Sequence, residues 1–183
     1  MLAKCRSAAE NIERLHYQLA PYCDFTPDAA CDVADIDQMF EAGNLVTGVA
    51  VSGSTDRLDL VDNDTINAAD ITEWLAQAAT ANGHDSPYLR GDTELDRDVD
   101  ITDFNNLAMN FLPVGTSTPA LVSWDKGNFD GDDDIDITDF NLLAANFFPS
   151  GYSTSTIPEP TTMLLASLAL GLVGVSFRLS KYG

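Results

Sequence analysis

The stretch NFDGDDDIDITDFNLLAANF, residues 128–147, decides the fold of this chain. Its first twelve residues, 128–139, carry oxygen-bearing side chains at positions 1, 3, 5, 9 and 12. Apolar side chains then recur from Phe140 to Phe147 at the i, i+3, i+4, i+7 spacing of one helical face. The stretch therefore predicts an acidic loop that leads directly into a short amphipathic helix.

The same pattern occurs four times along the chain. Its twelve-residue loops begin at residues 24, 59, 92 and 128, in steps of 35, 33 and 36 residues. We name them loop one (24–35), loop two (59–70), loop three (92–103) and loop four (128–139). A short apolar stripe follows each loop, and helices of this length are stable only when they pack on one another. We therefore expect a mostly α fold built from paired loop–helix repeats.

The spacing inside each loop is the one by which twelve residues wrap Ca²⁺, with a backbone carbonyl at position 7. Calcium takes about six to eight hard oxygen ligands, and carboxylates also neutralise its charge. Loop two is the weakest because Val61 at position 3 offers no ligand atom. The predicted ligands are Asp24, Thr26, Asp28, the Ala30 carbonyl, Asp32 and Asp35 in loop one; Asp59, Asn63, the Thr65 carbonyl, Asn67 and Asp70 in loop two; Asp92, Glu94, Asp96, the Asp98 carbonyl, Asp100 and Asp103 in loop three; and Asn128, Asp130, Asp132, the Asp134 carbonyl, Asp136 and Asp139 in loop four.

Position 8 of every loop is apolar. In paired loops we expect this residue to form a short strand contact between the partners, so its apolar character supports the same register in all four loops. The four residues are Cys31, Ile66, Val99 and Ile135.

The net charge of −20, from 29 acidic and 9 basic residues, argues against nucleic acid as a partner, because phosphate binding needs clustered Lys and Arg. Residues 22–157 hold 26 of the acidic residues and only four basic ones, and such a segment repels itself unless a cation binds it. His16 and His84 are lone histidines, and the sequence has no phosphate loop, zinc cluster or Ser/His/Asp constellation. We therefore expect that the protein is not an enzyme.

The three cysteines, Cys5, Cys23 and Cys31, cannot all pair within one chain. Two interpretations stay open: a Cys23–Cys31 disulfide in an exported protein, or a cysteine buried as a small apolar side chain. Residues 1–21 predict a short amphipathic helix and not a clear signal peptide, because charged residues interrupt every apolar run.

Two of the repeats, GDTELDRDVDITDFNNLAMNF (91–111) and GNFDGDDDIDITDFNLLAANF (127–147), resemble type I dockerin repeats. The resemblance covers roughly residues 22–149. It implies paired calcium-loop–helix (F-hand) units, each with one helix after its loop. It also implies a cohesin-like partner that contacts positions 10 and 11, and a link to polysaccharide-degrading enzymes. Those positions are Ile101-Thr102 and Ile137-Thr138.

The sequence departs from the dockerin pattern at position 6. That position is usually Gly, which accepts a left-handed backbone at low cost. Asp tolerates this conformation better than Ala or Arg, so loops one and three should be affected most. The four residues are Ala29, Asp64, Arg97 and Asp133.

The C-terminus combines Pro158-Glu159-Pro160 with an uncharged run over residues 161–177 and a basic end at Arg178 and Lys181. This order resembles a PEP-CTERM sorting signal, which implies an exosortase that cleaves near the motif and hands the protein to the cell envelope. The 17 uncharged residues are just long enough for a C-terminal transmembrane helix. The alternative is a buried terminal helix.

The sequence predicts five segments. They are an N-terminal helical segment (1–21), a degenerate loop pair (22–83), a second loop pair (84–149), a flexible polar linker (150–157) and a sorting tail (158–183).

The predicted function is that of an exported calcium-binding module, anchored in the membrane or displayed at the cell surface, that recognises or anchors a partner. One alternative is a structural spacer that calcium makes rigid and that has no cohesin partner. Another is the C-terminal appendage of a polysaccharide-degrading enzyme.

Overall fold

The computed structural model describes residues 22–152, which lie within one compact unit. The predicted helical segment at 1–21 and the predicted transmembrane helix at 161–177 lie outside this range. Within it, no helix is long and apolar enough to cross a membrane. A helix follows each acidic loop: α1 (Val33–Phe40), α2 (Ala68–Ala81), α3 (Ile101–Met109) and α4 (Ile137–Ala145).

The remaining elements are short. Strands β1 (Val49–Ala50) and β2 (Thr65–Ile66) form a two-stranded antiparallel sheet. Ile66 is one of the position-8 residues for which the sequence predicts a strand contact, whereas its partner Val49 was not predicted. Three single-turn 3-10 helices complete the fold, at Asp56–Leu58, Pro119–Leu121 and Trp124–Lys126.

All four α-helices begin at the same place in their loops because positions 9 and 12 cap them. In loop four, the Asp136 side chain accepts from the backbone N–H of Thr138, and the Asp139 side chain accepts from the N–H of Asp136. This reciprocal arrangement is a capping box, worth about 1 kcal/mol per helix. The other helices use the same device, with N-caps at Asp32, Asn67 and Asp100.

The position-8 residues do join partner units, but their contact differs from the expected one between paired loops. Val99 of loop three exchanges two backbone hydrogen bonds with Phe148, which follows α4, at 2.9 and 3.4 Å. Ile135 of loop four exchanges two with Leu112, which follows α3, at 2.9 and 3.2 Å. The chain leaving each helix carries free backbone groups, so it forms the strand contact with the partner loop.

Loops one and two pair in a similar way. Ile66 at position 8 of loop two lies opposite Val49, beyond α1. The Cys31 carbonyl at position 8 of loop one accepts from the side chain of Asn82, at the end of α2, at 3.0 Å. Each pair is therefore held together by reciprocal contacts between a loop and the end of its partner's helix.

Both loop pairs contribute to one continuous core. The ring centroid of Trp124, which is fully buried, lies 6.3 Å from that of Phe40 on α1 and 5.2 Å from that of Phe129 in loop four. The backbone N–H of Leu45 donates to the carbonyl of Gly131 at 2.6 Å. The core therefore places the connection after α1 directly against loop four.

Candidate metal centre

An aspartate at position 12 closes each loop. In loop four, Asp139 Oδ1 accepts from the backbone N–H groups of Phe129 and Asp130 at 2.6 and 3.2 Å. Its Oδ2 accepts from the N–H of Asp136 at 2.9 Å. The short Asp side chain suits position 12, because from the interior of the loop it accepts hydrogen bonds both from the start of the loop and from position 9. The equivalent residues Asp35, Asp70 and Asp103 are also buried and make matching bonds.

Position 6 takes a left-handed backbone in loops one, two and three although none of them has glycine there. The φ values are +70° at Ala29, +62° at Asp64 and +80° at Arg97. In each case the N–H at position 6 donates to the position-1 carboxylate, at 2.8 to 3.0 Å. This bond offsets part of the steric cost, which is about 1–2 kcal/mol.

Loop four turns differently. Position 4 is left-handed in loops two, three and four, with φ +51° at Asp62, +57° at Leu95 and +87° at Gly131, but in loop four Asp133 at position 6 lies outside the left-handed region. The expectation of a left-handed Asp133 is therefore wrong. Asn128 holds this turn, because its Oδ1 accepts from the N–H of Gly131 at 2.8 Å and its amide donates to the Asp132 carbonyl at 2.8 Å.

Arg97 does not point its charge into loop three. Its guanidinium donates to the carbonyl of Ser86 at 2.6 Å and lies 4.3 Å from the ring centroid of Tyr152. The positive charge at position 6 is therefore turned away from the carboxylates of the loop.

Three loops gather acidic groups that can converge on one ion, with carboxylate oxygens within 4.8 Å of one another. Loops three and four use the side chain at position 7, where the spacing predicted only a carbonyl. Loop two forms no such three-acid cluster within residues 22–152, because Asn63 at position 5 and Asn67 at position 9 replace the aspartates of the other loops. The clusters are Asp24, Asp28 and Asp35; Asp98, Asp100 and Asp103; and Asp134, Asp136 and Asp139.

Several other predicted ligands already make hydrogen bonds with backbone or side-chain groups in or near their own loops. Position 5 of every loop accepts from the N–H at position 7, at 2.8 to 3.1 Å. Thr26 donates its hydroxyl to Asp35 at 2.9 Å, and Glu94 accepts from Thr93 and Asn106. The position-5 residues are Asp28, Asn63, Asp96 and Asp132; Asp130, Asn67 and the Thr65 carbonyl also accept local bonds.

Two carboxylate oxygens test whether a cation fits these loops. Asp24 Oδ1 and Asp134 Oδ1 are buried atoms that have no hydrogen-bond partner within the described range. An unpaired buried acceptor is costly, and a bound cation would satisfy it. The donor set is all oxygen and mostly anionic, which is the set that Ca²⁺ prefers. The residues present therefore fit a calcium ion in loops one and four. Loop three offers the same all-oxygen, anionic donor set through Asp98, Asp100 and Asp103.

Burial without a counter-charge raises the pKa of acids in these loops. It raises the pKa of Asp139 to about 7, and nearby Asp130 adds to the shift. It also raises the pKa of Asp92 to about 7, with a further contribution from Asp103. Desolvation is the largest cause in both cases. A cation would act in the opposite direction by favouring the charged carboxylates.

Tyr152 contacts loop three, and the sequence patterns gave no sign of it. Its hydroxyl donates to Asp92 Oδ2 at 2.6 Å, across 60 residues of sequence. The sequence predicts a flexible linker over residues 150–157, whereas the compact unit extends to Tyr152. An isolated tyrosine in a Gly/Ser/Thr-rich stretch was the only available signal.

Cys23 and Cys31 form a disulfide, which decides between the two interpretations left open by the sequence. It ties position 8 of loop one to the residue that precedes the loop. Disulfides persist mainly in oxidising compartments, so the bond fits an exported protein.

A family model for the PEP-CTERM protein-sorting motif matches residues 156–181. No curated protein and no solved structure matched the chain. The chain therefore carries the signal of an exported protein that is sorted to the cell envelope or surface, and exosortase recognises such motifs. The match covers the tail and leaves the acidic loops aside, so their resemblance to dockerin repeats remains a prediction.

Proposed function

We propose that residues 22–152 form a calcium-stabilised recognition or anchoring module, which the sorting tail delivers to the envelope. The observation that carries this proposal is the recurrence of a three-acid cluster in three loops, at positions 7, 9 and 12 of loops three and four and at positions 1, 5 and 12 of loop one. A buried, unpaired carboxylate oxygen at Asp24 and at Asp134 supports it.

The basic residues of the module do not neutralise these loops. Arg57 donates to the carbonyl of Phe25, and Arg90 donates to the carbonyls of Phe129 and Ala68. Within the part of the chain that is described, the one ion pair joins Lys126 to Asp125, outside the loops. Two carboxylates about 5 Å apart repel by about 3 kcal/mol at an effective dielectric of about 20. The charge of Arg90 acts on Asp130 and Asp139 of loop four, but within the described residues no basic group forms an ion pair with a loop carboxylate. A divalent cation would supply the compensating charge.

An exposed apolar face supports recognition of a protein partner. Ile101 and Ile137 occupy position 10 of loops three and four, and each is 59 % exposed. Between them, the rings of Phe104 and Phe140 meet edge to face, with centroids 6.2 Å apart. Neighbouring apolar side chains exposed at equivalent positions of two repeats are typical of a binding surface. By its resemblance to dockerin repeats, the expected partner is a cohesin-like module.

The test is calcium-coupled folding of residues 1–152. Circular dichroism and melting temperature are measured with calcium, with excess chelator and with magnesium as the matched ion. Calcium that binds only the folded state raises its stability by about 2.7 kcal/mol per site at a hundredfold excess over Kd. A melting temperature that does not respond to calcium would refute the proposal. Pull-down from a lysate of the native host, with and without chelator, then tests for the partner.

A further inference from the structure

Tyr152, which lies beyond α4, contacts both ends of the turn in loop three. The Tyr152 hydroxyl donates to Asp92 at position 1, and its backbone N–H donates to the Arg97 carbonyl at position 6, at 3.0 Å. The same hydroxyl accepts from the N–H of Leu89 at 3.3 Å. The guanidinium of Arg97 covers the tyrosine ring. Tyr152 is thus held on several sides against the loop.

Asp92 is fully buried, and donors from different segments fix its orientation. Oδ2 accepts from Tyr152 and from the N–H of Arg97, whereas Oδ1 accepts from the N–H of Asp96 alone, at 3.1 Å. The indole of Trp124 donates to the Asp92 carbonyl at 2.8 Å. A carboxylate oxygen has two lone pairs, so Oδ1 keeps one for a further partner.

The position-1 residues of loops one and two lack such a clamp. Asp24 Oδ1 has no partner, and Asp59 accepts only from the N–H groups of Asn63 and Asp64 among the described residues. Asn128, at position 1 of loop four, donates to the Val122 carbonyl at 2.8 Å and carries no carboxylate. Among the position-1 carboxylates, Asp92 of loop three is therefore distinguished, within the described residues, by a side-chain donor from outside its loop.

We propose that Tyr152 is a positioning residue for the loop-three calcium site and that it links occupancy of that site to the segment that leads into the sorting motif. The inference rests on the proposed function. The hydroxyl holds Asp92 so that Oδ1 is available to the cation, and the sorting motif begins at residue 156, four residues after Tyr152. Because binding equilibria are reciprocal, calcium in loop three strengthens the docking of Tyr152 by the same factor that Tyr152 strengthens calcium binding.

Tyr152→Phe tests this, because it removes the hydroxyl and keeps the ring under Arg97. The matched control is Tyr88→Phe, which also removes the hydroxyl of a buried tyrosine. The Tyr88 hydroxyl is hydrogen-bonded to Asn82 and not to a loop carboxylate. Calcium binding is measured by the fluorescence emission of Trp124, whose indole donates a hydrogen bond to Asp92 of loop three. Every variant also carries Trp74→Phe, which removes the emission of the other tryptophan, whose indole donates to Cys23.

We expect Tyr152→Phe to weaken loop-three affinity about tenfold, the effect of one hydrogen bond to a charged group, and Tyr88→Phe to leave it unchanged. Calcium should slow hydrogen exchange of the Tyr152 amide in the parent chain and in Tyr88→Phe, and should do so less in Tyr152→Phe.

Unchanged affinity in Tyr152→Phe would overturn the inference. If Tyr152→Phe lowers the melting temperature equally with calcium and with chelator, the inference would also be overturned, because the role of Tyr152 would then be only structural. If the parent chain does not respond to calcium at all, the proposed function fails, and the inference fails with it.

Discussion

The side-chain amide of Asn44 donates to the carboxylate of Asp133 at 2.9 Å, across 89 residues of sequence. The adjacent backbone bond from Leu45 to Gly131 strengthens the same contact. Loop four thus has two roles: it gathers acidic groups, and it forms the contact surface for the first loop pair.

Gly131→Ala should destabilise the protein by about 2–4 kcal/mol, because φ is +87° and an added Cβ would lie 2.9 Å from Ile71 and 3.0 Å from Leu45. Gly53→Ala is the matched control, since a Cβ there meets nothing within 4 Å, and it should change stability by less than about 0.5 kcal/mol. Urea unfolding of both variants measures this. Equal effects would contradict the assigned packing.

Asp134→Asn and Asp98→Asn should weaken calcium binding yet stabilise the protein in chelator. Each side chain belongs to a three-acid cluster and accepts no hydrogen bond within the described range, so the substitution removes charge and leaves the loop backbone intact. Calorimetry and melting curves measure the two effects. Asp85→Asn, an exposed position outside the loops, should change neither. Destabilisation in chelator would refute charge repulsion as the cost of the empty loops.

Without calcium, the folded state should lose stability as pH rises from about 4 to about 7. Asp92 and Asp139 have a folded pKa near 7, above the ordinary value of 3.8, so the folded state binds more protons than the unfolded state in this window. Their destabilising effect is absent below about pH 4 and complete above about pH 7. Calcium should flatten or reverse the trend, because it binds the deprotonated form.

Scanning calorimetry at about pH 5 and pH 8, each with calcium and with chelator, provides the measurement. A melting temperature that rises with pH in chelator would show that these two acids do not dominate the pH dependence.

Breaking the Cys23–Cys31 disulfide should destabilise the module by about 2–3 kcal/mol, because it closes a short loop around the first eight positions of loop one. The double variant Cys23→Ala/Cys31→Ala should have a lower melting temperature than the parent chain, whereas Cys5→Ala should have the same melting temperature as the parent chain. Unfolding in the presence and absence of a reductant gives an independent measurement. If the reductant lowers the stability of the double variant as much as it lowers that of the parent chain, the loss of stability does not come from breaking the disulfide.

Deleting residues 161–183, or replacing Glu159, should release the protein from the envelope of its native host. The order of tripeptide, uncharged run and basic end, together with the family match over 156–181, motivates this expectation. Cell fractionation measures it, with Asp85→Asn as the control that keeps the tail intact. Retention of the deleted form in the envelope would show that another element anchors the protein.

Sequence periodicity indicated that a helix accompanies each loop, but it placed the helix after position 12, whereas the capping boxes start it at position 10. The capping boxes and the position-12 closures join residues at most ten positions apart, such as Phe129 and Asp139. Short-range hydrogen bonds of this kind need only the local pattern. A spacing rule gives the order of groups along the loop and not the direction of each side chain, so it did not indicate that the position-7 carboxylates of loops three and four join the acidic clusters.

Tertiary structure alone decided which segments meet these loops. Tyr152 reaches Asp92 and Asn44 reaches Asp133 because the shared core around Trp124 brings distant segments together. No periodic signal marks such residues, since each contact depends on how two helices pack and where the chain emerges from them. The sequence by itself therefore determined four acidic loops, a helix associated with each of them and a sorting tail. Only tertiary structure decided that Asn44 meets loop four at Asp133 and that Tyr152 meets loop three at Asp92, because both contacts depend on how the shared core packs.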